Sequence, residues 1–506
     1  MGIFKRNINP RRKQLRENLA TERFAKLSEF INSGIPWSIL ILIGFIAICS
    51  FLLSIVIGQD KLGFYLWYQT VSVVFITAGI GIAMAVYVYH YNRKTVKNPL
   101  RAVVLCSLFI LLLVLTKSGF FFQNHIYLAV ASSIICAIVL TIVYDQRFAI
   151  GMSLFFASLV CFAAGRQTDF ALFLAMAAGI LTSCFLLKEI RTRIKLLEVG
   201  VFAGAAVFIV SFAAGLFEKG FSGSLFVFSG RIAAVTIFVG IIIQAFLPLI
   251  EKIFHVATSM TLLDYSDANQ PLLKKLAMDA PGTFSHSLLI GSIAQTAAET
   301  IGANGLLCRV GAYYHDIGKI GKPYYFIENQ MGTSSRHEQL SPAMSQLIIA
   351  GHVKDGIEMA KEYRLPAVIM QFIETHHGTT LIEYFYEEAR KKTNGNVAPP
   401  SEVEFRYPGP RPQTKESAIV MLADTVEGAV RALTEITPTK IETVVHNMAA
   451  KRLQDGQFDE CELTLRELSR IEDSLSKSLA AHYHGRIAYP KPAEEEQTSE
   501  NGKENV

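Results

Sequence analysis

The chain has 506 residues, 51% of them hydrophobic, a mean hydropathy of +0.34 and a formal net charge of +5. That apolar fraction excludes an ordinary soluble protein of this size, and the basic residues cluster beside apolar runs instead of forming an extended patch, so no DNA partner is expected. Seven cysteines give no CxxC pair. Cys49, Cys106, Cys136, Cys161 and Cys184 fall inside apolar runs, where cysteine acts as a small hydrophobe, so neither a disulfide framework nor a zinc finger is implied.

In chain order, residues 1–33 form a basic segment carrying Lys5, Arg6, Arg11, Arg12, Lys13, Arg16, Arg23 and Lys26. A transmembrane bundle follows over 34–253, with spans predicted at 36–57, 66–91, 100–117, 126–144, 148–165, 168–187, 198–217 and 231–250. Each run is long enough to cross a bilayer core of about 30 Å as a helix. Alternate connections carry the cations: Arg93, Lys94, Lys97 and Arg101, then Arg147, then Lys188, Arg191, Arg193 and Lys195. The connections Gly58–Tyr65 and Ser118–His125 are nearly free of them. Basic loops face the cytoplasm, so both the N-terminus and the second half are expected there, in a multi-pass protein of the bacterial inner membrane with the lipid bilayer as a partner. A signal peptide at the first run is disfavoured by the length of that run. Mid-membrane charges of the kind a transporter or proton pump uses are missing, so the bundle reads as an anchor or sensor.

Beyond residue 254 the text turns to mixed charge and amphipathic periods. Residues 254–285 read as a juxtamembrane connector, with Pro271 and Pro281–Gly282 marking a turn before the next helix. Helices are predicted at Ser285–Ile301, Gly305–Tyr314, Ser341–Tyr363, Pro366–Thr375 and Ile419–Ile436. Without strand alternation this is an all-α domain over 286–487, and 488–506 reads as a disordered tail.

The chemistry of this half rests on His286, His315–Asp316, His352, His376–His377 and Asp424. Neighbouring residues in an α-helix diverge by about 100°, so adjacent ligands converge on one site only where a helix ends, and Gly318 and Gly378 are expected to supply such endings. Imidazole with carboxylate suits iron, manganese, nickel or zinc, and the absence of nearby thiolates argues against structural zinc. The ligands are too many for one ion. Two divalent ions about 3.5–4 Å apart, bridged by a carboxylate, are the natural solution.

This set resembles the HD phosphohydrolase superfamily, whose signature of a first His, a His–Asp pair and a distant Asp is met here by His286, His315–Asp316 and Asp424. The stretches Asn269–Gln270–Pro271–Leu272, Ala280–Pro281–Gly282–Thr283, Tyr313–Tyr314–His315–Asp316–Ile317–Gly318–Lys319 and Tyr407–Pro408–Gly409–Pro410–Arg411–Pro412 resemble the membrane-anchored 7TM-HD family of cyclic di-AMP phosphodiesterases. The resemblance implies one metal on His286, His315, Asp316 and Asp424 and a second on Asp316, His352, His376 and His377, with Asp316 bridging. Manganese or iron would fill both positions. A water activated by the ions would attack one phosphodiester of a cyclic dinucleotide, giving linear pApA first.

Asp316 and Lys319 are the expected catalytic residues, Lys319 as a point charge on a phosphate oxygen. The competing expectation for Lys319 is a solvated lysine past a helix end. Arg406 and Arg411, with Lys415, lie in the Pro- and Gly-rich stretch 392–416, expected as a mobile loop whose arginines bind substrate phosphates; the competing expectation is an ordinary solvated loop. Members of the family commonly carry a large extracellular domain between the first two spans, whereas here only Gly58–Tyr65 separates them.

Rival readings are the same fold acting on cyclic di-GMP, a nucleotide phosphohydrolase of the superfamily, and a receptor that binds the dinucleotide without cleaving it. Enzymes for cyclic di-GMP carry Gly–Tyr–Pro after the paired histidines, but here Gly378–Thr379–Thr380–Leu381–Ile382–Glu383 follows. Nucleotide phosphohydrolases usually need one metal, and a degenerate receptor should have lost ligands. Whether the chain forms a homo-oligomer is open at this level.

Overall fold

The computed structural model describes residues 34–484 except 58–61, 123, 165–169, 188–189, 191, 193, 255, 331–334 and 393–399. The basic N-terminal segment, the tail after residue 484, and Lys188, Arg191 and Arg193 lie outside the described residues. The chain divides into two compact units, Met1–Met260 and Thr261–Val506.

The first unit is built of long apolar helices. Ile35–Ser54, Trp67–Tyr91, Pro99–Ser118, His125–Val143, Gln146–Ala163, Ile194–Glu218 and Gly223–Phe254 are each long and apolar enough to cross a membrane. Where eight spans were expected, Phe170–Leu186 stops at 17 residues, a shorter apolar helix. At 1.5 Å per residue it rises about 26 Å, a little less than a bilayer core. The first helix ends at Ser54, not 57, because the β-branched run Ile55–Ile57 pairs antiparallel with Leu62–Phe64. The two short strands depart from all-helical structure, the first inside the expected span and the second inside the expected connection.

Between the helices small residues and short hydroxyl pairs allow close contact, Phe109, Phe148 and Phe156 fill the interior, and many other large apolar side chains face outward. Gly240 faces Gly200 so closely that a Cβ at 240 would meet Leu196 O at 2.7 Å. Ser50 and Thr77 lie 2.5 Å apart across two helices, as do Thr116 and Ser132 at 2.7 Å. Trp37, Leu40, Phe75 and Leu111 are exposed. Close backbone approach, internally satisfied hydroxyls and an apolar exterior are what a bundle surrounded by hydrocarbon requires.

The second unit packs Pro281–Thr300, Gly305–Tyr314, Lys415–Arg431, Pro438–Gln454 and Leu465–His484 around Ile290, Ala294, Phe372, Val420, Met421, Val445 and Leu475. Pro342–Glu362 and Ala367–Thr375 complete the frame of the site. Pro281–Gly282, expected as a turn before a helix, is instead the helix's first turn. Proline suits that position because its missing N–H has no intrahelical partner to lose. Pro271 likewise opens Pro271–Asp279 inside the expected connector. The helix expected at Ile419–Ile436 begins at Lys415, where the Thr414 side chain accepts from Ser417 N, and ends at Arg431.

Candidate metal centre

His315 and Asp316 leave the end of Gly305–Tyr314, a helix started by the Asn304 side chain accepting from Leu307 N. Asp316 departs from helical geometry at φ −110°, and a short 3-10 turn, Ile317–Gly321, follows. Gly318 does more than end a helix. A Cβ there would stand 1.8 Å from His352 O and 2.6 Å from Gly356 N, so its bare backbone lets this turn press onto Pro342–Glu362 and brings His352 to Asp316. His376 caps Ala367–Thr375, and Gly378 supplies the left-handed φ of +51° that turns the chain after His377.

Three imidazoles are held by one device. Nδ1 of His315 donates to Ala312 O at 2.6 Å, Nδ1 of His352 to Ile349 O at 2.6 Å, and Nδ1 of His376 to Ile373 O at 3.0 Å. A carbonyl can only accept, so each ring carries a proton on Nδ1 and turns Nε2 inward. Asp316 and Asp424 meet these nitrogens. Asp316 Oδ2 lies 3.1 Å from His315 Nε2, its Oδ1 3.4 Å from His352 Nε2 and 3.6 Å from His376 Nε2. Asp424 Oδ1 lies 3.0 Å from His286 Nε2, and its Oδ2 3.9 Å from His377 Nδ1.

Two groups able to hold a metal result: His286, His315 and Asp316, and Asp316, His352, His376 and His377. Asp316 is common to both. Asp424 stands beside the first group, against His286 and 3.8 Å from His315. The fit to cations is visible in atoms that lack any other partner. His315 Nε2 and Asp316 Oδ1 are buried without a hydrogen bond, and the inward Nε2 atoms of His352 and His376 face each other at 3.1 Å. Facing lone pairs and an orphaned carboxylate oxygen are costly unless a positive charge joins them.

Burial lowers the basicity of His352 to about 3, outweighing the opposing pull of Asp316. Burial alone would also lower His315, but Asp316 and Asp424 outweigh it and raise that imidazole to about 10. For Asp316 burial would favour the neutral acid, yet His315 and Lys319 hold the carboxyl well below the usual range. Without metal, the centre therefore keeps a proton on His315 that an ion must displace.

Lys319 is buried, not solvated. Its Nζ lies 2.7 Å from Asp316 Oδ2 and 2.8 Å from Glu328 Oε1. Thr283 Oγ1 donates to the same Glu328 oxygen at 3.0 Å. The stretch expected as a mobile loop is tied down over residues 400–414. Ile382 N donates to Phe405 O and Tyr407 N to Thr380 O, while Arg406 pairs with Asp455 at 2.9 Å and with Glu402 at 2.6 Å. Arg411 reaches Asp459 at 3.4 Å and Thr379 Oγ1 at 3.3 Å. Lys415 bonds Glu467. Acidic residues brought in from 455–467 thus engage Arg406, Arg411 and Lys415; nothing in the local sequence announces them.

Glu427 and Tyr407 belong to the centre although neither was assigned a role from sequence. Glu427 Oε2 lies 2.9 Å from His286 Nδ1, and the Tyr407 ring stacks on His377 at 4.2 Å. Glu427 follows Asp424 by three residues, one helical turn, which is the signal that could have found it.

Residues 67–258 match the family described as "7TM receptor with intracellular HD hydrolase", and residues 283–429 match the HD domain. The cyclic-di-AMP phosphodiesterase PgpH of Bacillus subtilis (strain 168) is 35% identical over 439 residues, which cover 84% of this chain and 60% of that protein. Its namesake from Listeria monocytogenes serotype 1/2a (strain 10403S) is 35% identical over 81% of this chain and 58% of its own length. The chain thus spans about three-fifths of the curated relatives it matches. A crystal structure of the L. monocytogenes PgpH HD domain, 46% identical, is covered in full by 43% of this chain with a TM-score of 0.41. HD domains depend on metal, and the histidine and aspartate cluster falls within the matched region up to Asp424. The chain thus carries the membrane unit of the 7TM receptor family with an intracellular HD hydrolase and, after it, an HD domain, and it is homologous to the PgpH cyclic-di-AMP phosphodiesterases over most of its own length.

Proposed function

We propose that this chain is a membrane-anchored, metal-dependent phosphodiesterase that hydrolyses cyclic di-AMP to pApA. The observation that carries the reaction type is the sharing of Asp316 by two potential metal groups. The substrate is supported by the names of the relatives, cyclic-di-AMP phosphodiesterases. His286, His315, Asp316 and Asp424 would hold one divalent ion, and Asp316, His352, His376 and His377 the second, with manganese or iron in both. Such ions supply Lewis acidity to phosphoryl oxygens and make water nucleophilic near neutral pH.

The protein's own groups do the positioning. Backbone carbonyls aim the three Nε2 atoms, and Glu427 fixes His286. Lys319 neutralises Asp316 and Glu328, so its first role is to keep the shared carboxylate ionised and in place. Arg411 is held by longer contacts than Arg406 and is the arginine proposed to receive a substrate phosphate. Basic residues at alternate connections support a cytosolic position for the HD domain in the bacterial inner membrane.

The test is hydrolysis by the full chain in detergent, given Mn²⁺ or Fe²⁺ and equal amounts of cyclic di-AMP and cyclic di-GMP, with Asp316→Ala as control. Selective formation of pApA, lost in the control, supports the proposal. Binding of cyclic di-AMP without turnover by a metal-loaded chain would replace it with a receptor.

A further inference from the structure

A cavity of about 350 Å³ lies among the helices Ile35–Ser54, Trp67–Tyr91 and Pro99–Ser118 of the first unit. Leu42, Phe45, Val88, Leu105, Phe109 and Met152 are among its walls. The walls are almost wholly apolar, and the small hydroxyl residues among them are engaged: Ser38 Oγ donates to Val96 O at 2.7 Å, and Thr95 Oγ1 lies 3.1 Å from Asn92 Oδ1. An occupant would gain from burying hydrocarbon, with little to offer or receive in hydrogen bonds.

One end of this cavity is bounded by the short connection between the second and third of those helices, and that connection is cationic. Thr95, Val96 and Ala102 line the cavity, and exposed Arg93, Lys97 and Arg101 flank them in sequence. The Arg93 guanidinium lies 5.2 Å from the ring centroid of Tyr89, itself a wall residue. Among the described residues none of these three cations has an acidic partner at ion-pair distance. The acid of the neighbouring turn, Asp145, is used to cap the next helix by accepting from Arg147 N at 3.2 Å.

From this juxtaposition of an apolar slot and unpaired cations we infer that the first unit binds an anionic glycerophospholipid, one acyl chain in the slot and its phosphate against Arg93, Lys97 and Arg101. A soluble anion would gain nothing from the slot. A neutral lipid would gain nothing from the cations, whereas each basic group near an anionic lipid strengthens its binding about fivefold. The site is independent of the reaction proposed for the HD domain.

Full-length protein in nonionic detergent, equilibrated with equal phosphatidylglycerol and phosphatidylcholine, is separated by gel filtration, and the lipid retained is measured by mass spectrometry. The wild type is expected to retain phosphatidylglycerol in preference. The triple variant Arg93→Gln, Lys97→Gln, Arg101→Gln alters exposed side chains alone and should lose that preference by about fivefold per charge while keeping its phosphatidylcholine. Ala85→Phe with Ala102→Phe, which fills the slot and leaves the charges, should lower retention of both lipids. Equal retention of the two lipids by the wild type, an undiminished preference in the triple variant, or full retention by the slot-filled variant in a sample that still elutes as folded protein would each overturn the inference.

Discussion

Nδ1 of His286 lies 2.9 Å from Oε2 of the buried Glu427, while Nε2 of the same ring lies 3.0 Å from Asp424. One carboxylate behind an imidazole and another beside its inward face form the arrangement that fixes ring orientation and raises the basicity of a metal ligand. Glu427→Gln is therefore expected to weaken metal binding about 10–100-fold with little change in secondary structure. Metal titration followed by circular dichroism would check it. Unchanged affinity would reduce Glu427 to a packing residue.

Asp316 belongs to both metal groups and His352 to one. Asp316→Ala should abolish tight binding at both positions, and His352→Ala should lower the metal content of the loaded protein by a single ion. Elemental analysis of the purified variants distinguishes these outcomes. An equal loss in both variants would mean that the centre fills as one unit.

The proton held by His315 sets a pH dependence with a definite sign. Its ordinary pKa of 6.5 is raised to about 10 in the metal-free fold, so through neutral pH an ion must displace that proton. Metal affinity should consequently rise with pH, by about tenfold per unit for each proton displaced. Calorimetry in buffers of different ionisation enthalpy would detect the released proton, and a pH-independent affinity would contradict its presence.

Gly318 marks the closest backbone contact of the centre, where a Cβ would stand 1.8 Å from His352 O. Gly318→Ala must push the 3-10 turn off Pro342–Glu362. It should cost ~2–3 kcal/mol of stability and reduce metal binding with it. Chemical denaturation of the variant measures the first effect. Gly321→Ala, whose Cβ would meet no atom within 4 Å, is the control expected to be nearly neutral.

Arg406 and Arg411 should separate. Arg406 pairs with Glu402 and Asp455 and also donates to Thr379 O, so Arg406→Ala is expected to lower thermal stability with little direct effect on substrate affinity. Arg411→Ala should raise KM for cyclic di-AMP and leave kcat within a few-fold. Steady-state kinetics beside melting curves test both, and an unchanged KM for the second variant removes Arg411 from the substrate site.

Much of this organisation is legible in the chain because it depends on local patterns. Apolar runs separated by basic connections indicate membrane helices, since length and charge act one segment at a time. The histidines and aspartates of the centre stand out because metal chemistry restricts the residue types that can serve. The helix Gly305–Tyr314 is bounded in sequence by Asn304 and by the His–Asp pair, and it folds within those bounds. Partners distant in sequence were not legible. In sequence Lys319 reads as a phosphate contact or a solvated lysine and Arg406 as a phosphate-binding or solvated arginine; neither reading contains Glu328 and Asp316 closing around the first or Asp455 reaching the second from 49 residues away. The sequence by itself determined which residues could bind metal and which segments could cross a membrane, because those properties belong to side-chain chemistry and short-range periodicity. Only the tertiary structure decided that Glu427 backs His286, that Lys319 is buried against Asp316 and Glu328 and that the basic connection adjoins an apolar slot, because each depends on how helices distant in sequence pack together.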